Sequence, residues 1–198
     1  MEQAVVGSRS SVVGFRIAAL VGGAVLVAAA AQVSIPLLGT PVPMTLQPMA
    51  VLLVGGLLGP RLGALSMILY LAMGAAGLPA FTPTVPLFGI ARLLGPTGGY
   101  LLAYPIAAYA VGRLTAVPPL RGAERGSGGE DWARAALGVF LGLVLIHLGG
   151  LAQLLILTGN LSAAARFGTL PFLLGDLVKI AVLVPVLAKL TPTIRARL

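Results

Sequence analysis

The stretch Leu170-Pro-Phe-Leu-Leu-Gly-Asp-Leu-Val-Lys-Ile-Ala-Val-Leu-Val-Pro-Val-Leu187 is an apolar run that contains one acid and one base. The acid is Asp176 and the base is Lys179, and a spacing of three puts both side chains on one face of a helix. A charge placed inside a bilayer costs at least about 2.5–3.5 kcal/mol. The two residues therefore either neutralise each other as a helix-packing pair or face a polar ligand, and ionisable residues at membrane depth are more often functional.

The composition of the whole chain indicates an integral membrane protein. Of its 198 residues, 58% are hydrophobic and 9% are charged, whereas soluble domains carry about 25% charged residues. The absence of cysteine excludes disulfides and thiolate metal sites. The net charge of +8 is spread over the ends of apolar runs, which is typical of membrane orientation and not of nucleic-acid binding.

The apolar runs predict one all-α domain over residues 1–198 with six transmembrane helices. The runs cover about Phe15–Leu38, Met49–Leu58, Ala64–Leu78, Tyr100–Leu114, Trp132–Thr158 and Leu170–Leu190. The segment before Ser11 is expected to be a short polar tail, and Gly159 to Thr169 a linker. The hydrophilic stretch from Val117 to Asp131 predicts a surface loop between the fourth and fifth helices.

The basic residues predict that both ends of the chain lie in the cytoplasm of a multi-pass protein of the cell (inner) membrane. In this orientation ten of the 13 basic residues face inward, as the positive-inside rule requires. These ten are Arg9, Arg16, Arg61, Arg113, Arg121, Arg125, Arg134, Lys189, Arg195 and Arg197. Two proline-rich loops, Gly39–Pro48 and Pro79–Pro96, then lie on the outer side, where they can cover a pocket beside Asp176 and Lys179.

The sequence contains no pattern typical of an enzyme. The single histidine, His147, lies in an apolar run and is interpreted as a helix-packing residue. There is no phosphate-binding loop, so we expect this chain to hydrolyse no ATP and to need no metal or cofactor. A proton relay is disfavoured because Asp176 is the only acid outside the hydrophilic loop and the extreme N-terminus.

The donor and acceptor groups of the pair limit the ligand chemistry. Asp176 offers two acceptor oxygens and Lys179 three donors, which together suit a cyclic urea, an amide or an amino acid. Arg92, on the outer side, is a candidate for binding a carboxylate.

Small residues in the first apolar run predict close helix packing. Ala19 and Gly23, and likewise Ala24 and Ala28, are four residues apart. Such faces bring two helices close together. The spacing alone favours packing within the chain over docking of another subunit.

Five motifs in order make the chain similar to a known family. They are Pro41-Val-Pro-Met-Thr-Leu-Gln-Pro48, Leu58-Gly-Pro-Arg-Leu-Gly63, Gly74-Ala-Ala-Gly-Leu-Pro-Ala-Phe81, Leu94-Gly-Pro-Thr-Gly-Gly-Tyr100 and Gly175-Asp-Leu-Val-Lys179. This set resembles BioY, the biotin-binding substrate component (S-component) of energy-coupling-factor (ECF) transporters. The resemblance implies a six-helix S-component fold that captures biotin from outside. It also implies a membrane-embedded coupling (T) protein and two cytoplasmic ATPases as partners, and docking through the small residues of the first helix.

The same resemblance assigns site residues. Asp176 and Lys179 match the acid and base of the family, and both are implied biotin contacts. Gln47 and Tyr100 occupy motif positions that line the implied pocket. The arginine that some members carry directly after the Gly-Gly-Tyr motif is Leu101 here, so Arg92 is the candidate replacement. Two alternatives stay open, namely an S-component for another vitamin and a structural membrane protein whose Asp176–Lys179 pair only holds helices together.

Overall fold

The chain is an all-α bundle in a computed structural model that describes residues 2–115 and 128–196. Its helices are α1 (Glu2–Gln32), α2 (Gln47–Leu58), α3 (Pro60–Ala75), α4 (Ala91–Leu94), α5 (Gly98–Leu114), α6 (Gly128–Thr158), α7 (Leu161–Gly168) and α8 (Leu173–Arg195). A short antiparallel pair, β1 (Ser34–Ile35) and β2 (Met44–Thr45), lies between α1 and α2. A 3₁₀ turn, Leu170–Phe172, leads into α8.

The six predicted helices correspond to α1, α2, α3, α5, α6 and α8. Three stretches are long and apolar enough to cross a bilayer by length and composition: Val13–Gln32, Gly129–Thr158 and Leu161–Arg195. Helix α2 has 12 residues, or about 18 Å of helix, which falls short of a hydrocarbon core of about 30 Å. The all-α membrane architecture is therefore confirmed, and the count of six crossings stays a prediction.

Two predicted helix starts are wrong. Helix α1 already begins at Glu2, within the segment predicted as a polar tail. Helix α6 begins at Gly128, inside the predicted hydrophilic loop, and Glu130 and Asp131 in its first turn interact favourably with the helix dipole. Residues 116–127 of that loop lie outside the described part of the chain.

The predicted linker between the last two long helices contains α7. Gly159 has φ +64°, which ends α6, and the side chain of Asn160 then accepts a hydrogen bond of 3.1 Å from the backbone N–H of Ala163. An asparagine cap of this kind starts a new helix. The consequence is that α7 lies beside α6 and packs against the 3₁₀ turn that leads into α8.

The bundle is built around α5, which packs against α2, α3, α4 and α6. Its contact with α6 is made by glycines. A Cβ added to Gly149 would press against the carbonyl of Gly99 and lie 2.7 Å from the Cβ of Ala103. The ring of Tyr100 occupies the space above Gly150. Because these positions carry no side chain, the two backbones approach closely and fix the position of Tyr100 relative to α6.

One arginine ties together the other end of the bundle. Arg195, the last residue of α8, donates from Nη2 to the carbonyls of Gly56 (2.5 Å) and Gly112 (3.1 Å) and to the hydroxyl of Thr115 (2.8 Å). These groups belong to α2 and to the end of α5, where backbone carbonyls lack partners within the helix. Arg195 therefore joins three helices at the end that the sequence assigns to the cytoplasm.

We expect Gly149→Ala to lower the stability of the folded protein by about 1–3 kcal/mol, because the added methyl group must push α5 and α6 apart. The measurement is thermal unfolding of the purified protein in detergent. Gly22→Ala is the matched control, since a Cβ at Gly22 meets nothing within 4 Å. Equal melting temperatures for the two variants would contradict the role given to the Gly99–Gly149 contact.

Candidate ligand-binding site

A cavity lies at the end of the bundle where α2, α5 and α8 begin. It encloses about 610 Å³ of space, including the part open to solvent, and polar and apolar side chains line it together. The five residues predicted to bind substrate all line it, namely Gln47, Arg92, Tyr100, Asp176 and Lys179. The structure thus brings together residues from three separate motifs and Arg92, which lies outside the motifs.

Asp176 and Lys179 lie side by side on the inner face of α8. Lys179 Nζ donates to Asp176 Oδ1 over 2.7 Å, and each residue is only 7% exposed. Their neighbours Leu177 and Val178 are 63% and 61% exposed and face outward. The helix therefore directs its two charged residues into the cavity and its apolar residues toward the bilayer.

His147 is the third member of this cluster. It joins α6 to α8, as expected of a helix-contact residue, but it does so through a polar partner that the sequence did not reveal. Its Nε2 lies 2.5 Å from Asp176 Oδ2, and its ring lies 6.3 Å from the rings of Tyr100 and Phe172. With a proton on Nε2, the ring donates to the carboxylate. Ionisable groups at membrane depth usually have a functional role. Asp176 and Lys179 are interpreted in this way from the sequence alone, and the same interpretation applies equally to His147.

Arg92 is buried with unused donors. It is 2% exposed, and its Nη2 donates to the backbone carbonyl of Thr82. Neither its Nε nor its Nη1 has a hydrogen-bond partner within the described residues. Because unsatisfied buried donors are costly, a guanidinium on the cavity wall favours an anionic ligand group.

Gln47 and Tyr100 line the cavity, but the protein already uses polar atoms of both. Gln47 Nε2 donates to the hydroxyl of Tyr70, and Gln47 Oε1 accepts from Thr45 over 3.2 Å. The hydroxyl of Tyr100 donates to the carbonyl of Gly168 over 2.5 Å. Tyr100 therefore presents mainly its ring to the cavity, and the same hydrogen bond fastens α5 to the end of α7.

The two proline-rich loops lie next to the cavity, as the sequence predicts. The hydroxyl of Thr40 donates to the carbonyl of Phe167 over 2.6 Å, and a Cβ at Gly175 would lie 3.3 Å from the Met44 side chain. Gln32 reaches the other loop and donates to the carbonyl of Pro79 over 3.2 Å. These contacts attach the first loop to α7 and α8, and the second loop to the end of α1.

The remaining wall of the cavity is apolar. It includes Leu101, Leu143, Ile146 and Phe172. Leu101, the residue directly after the Gly-Gly-Tyr motif, belongs to this apolar wall, whereas Arg92 adds a positive charge to the cavity. No group of three metal-ligating side chains occurs in the described ranges, 2–115 and 128–196.

The four small residues predicted for partner docking lie away from the cavity. Ala24 is fully buried, and a Cβ at Gly23 would lie 2.8 Å from Ser66 Oγ on α3. Ala19 and Ala28 are partly buried. Gly23 and Ala24 thus pack against this chain's own helices, as the spacing alone favoured, and docking of a partner through these four residues stays a prediction.

A different row of small residues on α1 faces outward. Gly14, Ala18 and Gly22 are each four residues apart and exposed, and a Cβ at either glycine would meet nothing within 4 Å. The sequence pattern did not separate this face from the buried one, because both repeat with the same spacing.

Comparisons with known proteins identify the family of the chain. The family model of the BioY family matches residues 7–196. The probable biotin transporter BioY of Pyrococcus horikoshii is 38% identical over 165 residues, which cover 83% of this chain and 89% of that protein. The biotin transporter BioY of Rhodobacter capsulatus is 37% identical over 164 residues, covering 80% and 83% of the two chains.

A solved structure has the same fold. It is the crystal structure of the S-component for biotin from an ECF-type ABC transporter, with a TM-score of 0.72 and 23% identity over 93% of this chain and 92% of that one. The family match over nearly all of the sequence, together with relatives of more than 30% identity, shows that the chain belongs to the BioY family.

Proposed function

We propose that this chain is the substrate-binding subunit that captures biotin from outside the cell for uptake by an ECF-type transporter. The observation that carries the proposal is one cavity with the Asp176–Lys179–His147 cluster and the under-used Arg92 on its walls. The similarity to named biotin transporters supports the choice of ligand. The chain is a multi-pass protein of the cell membrane.

The cluster suits the ureido ring of biotin. A ureido group presents two N–H donors and one carbonyl acceptor, and Asp176 and Lys179 supply the complementary acceptor and donor. Each oxygen of Asp176 has a lone pair left after its contact with Lys179 or His147. His147 acts here as a positioning residue that holds the carboxylate in a fixed orientation.

Arg92 suits the carboxylate at the other end of biotin. Its free Nε and Nη1 form one edge of a planar fork that can bind both oxygens of a carboxylate. Between the two polar ends, Leu101, Ile146 and Phe172 supply apolar surface for the sulfur-containing ring and the aliphatic chain. Gln47 and Tyr100 complete the proposed set of binding residues.

Uptake is proposed to depend on other subunits. The sequence has no phosphate-binding loop, so ATP hydrolysis falls to two cytoplasmic ATPases joined through a coupling (T) protein in the membrane. We propose six crossings with both ends in the cytoplasm and docking of the coupling protein on the Gly14–Ala18–Gly22 face of α1. That face is exposed along the first candidate span, where a second helix can approach closely.

Asp176→Asn is expected to weaken biotin binding about 10- to 100-fold, because the amide replaces a charged acceptor and puts a donor beside Lys179 and His147. The measurement is titration calorimetry with biotin in detergent. Asp131→Asn, the same change on the exposed start of α6, is the matched control and should bind like the parent protein. Unchanged biotin affinity in a stably folded Asp176→Asn protein would show that the Asp176–Lys179 pair has a purely structural role. If the parent protein bound another vitamin instead of biotin, the chain would be an S-component of different specificity.

Arg92→Met is expected to remove the preference for the free acid of biotin over its methyl ester. The parent protein should bind biotin about tenfold or more tightly than the ester, and the variant should bind both about equally, because the charge-assisted contact to the carboxylate is lost. Competition binding with the two ligands measures the ratio. Lys179→Met serves as the comparison, since it should weaken the binding of both ligands and keep the ratio of their affinities. A ratio that stays high in Arg92→Met would mean that the carboxylate of biotin binds elsewhere.

Gly22→Leu is expected to abolish stable association with the coupling protein and to leave biotin affinity within about twofold, because the added side chain fills the proposed contact face and not the cavity. Co-purification from cells that express all subunits measures the association. Ala152→Leu adds the same bulk to an exposed position of α6 and should keep the complex intact. Retention of the complex by Gly22→Leu would exclude this face of α1.

A further inference from the structure

A second cavity lies at the opposite end of the bundle from the candidate biotin site. It is an open cleft of about 1,530 Å³, including its opening to solvent, and is bounded by the end of α2, the start of α3, and parts of α1, α5 and α8. Four arginines line it, one from each of four helices: Arg16, Arg61, Arg113 and Arg195. Nothing in the proposed capture of biotin uses this cleft.

The cleft has a strongly positive lining. No acidic side chain of the described residues contributes to its walls, although Glu130 and Asp131 lie on the first turn of α6. Arg16, Arg61 and Arg113 are exposed. Arg61, Arg113 and Arg195 lie around the same opening and repel each other, and an anion bound between them would relieve that repulsion.

Arg195 gives the cleft a fixed cationic wall. Its contacts with Gly56, Gly112 and Thr115 hold the guanidinium in place, while its buried Nε and Nη1 have no hydrogen-bond partner in the described part of the chain. A Cβ at Gly59 would lie 3.8 Å from Arg195 Cζ, so the turn between α2 and α3 forms the adjacent wall. The positive charge at this wall is therefore pre-organised and does not depend on a flexible side chain.

The sides of the cleft are apolar and continue onto the lipid-facing surface. They include Leu62, Leu65 and Tyr109, of which Leu65 and Tyr109 are 46% and 47% exposed. A site with arginines at one level and exposed apolar residues beside them matches a molecule with an anionic head and an acyl chain. Basic pockets between transmembrane helices bind anionic lipid headgroups in this way.

We infer that the cleft formed by Arg16, Arg61, Arg113 and Arg195 binds the phosphate headgroup of an anionic phospholipid. The arginine forks bind the phosphate oxygens in pairs, and Leu65 and Tyr109 contact the first part of an acyl chain. The lipid is favoured over a free phosphate ion because the apolar wall has no function for an inorganic anion. It is favoured over an acidic protein segment because exposed apolar side chains, Leu65 and Tyr109, lie beside the arginines.

The test is native mass spectrometry of the detergent-purified protein titrated with phosphatidylglycerol. The parent protein should retain one tightly bound lipid, and the double variant Arg61→Gln, Arg113→Gln should bind it about tenfold or more weakly, because two of the four phosphate contacts are removed. Arg195 is left unchanged because it also joins three helices. Biotin binding by the double variant confirms that the protein is folded.

The controls separate the possible ligands. Arg134→Gln removes an arginine that pairs with Glu130 at the same end of the bundle but does not line the cleft, and it should keep the lipid affinity of the parent. Phosphatidylcholine should bind weakly to every variant. Any of four results would overturn the assignment. The parent protein could retain phosphatidylcholine equally well, bind inorganic phosphate equally well at the same concentration, or prefer soluble polyglutamate. The double variant could also keep an unchanged affinity for phosphatidylglycerol.

Discussion

The cost of placing charge inside an apolar bundle governs the arrangement of the candidate site. Asp176, Lys179 and His147 form a connected cluster in which each charged atom has a partner within 2.7 Å. Such a cluster tolerates burial because the attraction between its members offsets much of the lost hydration. It also keeps acceptor and donor capacity for a ligand, since no member is saturated. Arg92 differs, because only one of its three nitrogens has a partner in the described residues.

Close approach of helices positions these groups. The absence of side chains at Gly99 and Gly149 lets α5 and α6 meet at backbone distance, and this places Tyr100 of α5 beside His147 of α6. The hydroxyl of Tyr100 then reaches Gly168 at the end of α7, directly before the turn that starts α8. Packing of small residues therefore determines where the first turns of α8 lie, and so where Asp176 points. Stability and ligand geometry depend on the same contact in this bundle.

The features of the fold and of the candidate site that depend on local chemistry could be predicted from the sequence. Apolar runs revealed the long helices, and the charges in the last run identified Asp176 and Lys179. The role of His147 could not be read in the same way, because its partner is 29 residues away and only the packing of α6 on α8 brings them together. The buried and exposed small-residue rows of α1 share one spacing, so only the position of α3 beside Gly23 separates them. Helix α7 was not predicted, because its N-terminal cap, Asn160, lies in a stretch whose composition is typical of a loop.

The length of α8 connects the two ends of the molecule. Asp176 lies in its first turn and Arg195 at its end, and 19 residue steps of helix separate them by about 28 Å. This is close to the thickness of a hydrocarbon core of about 30 Å. When α8 spans the bilayer, Asp176 and Arg195 therefore both lie near the boundaries of the hydrocarbon core. A charged side chain costs less free energy there than at the centre of the bilayer. In the proposed orientation the ligand site opens to the outer solution, and Arg195 with its neighbouring arginines reaches the opposite headgroup layer. The polar residues of α8 thus lie where a bilayer tolerates charge, and each end of the helix borders one of the two proposed binding sites.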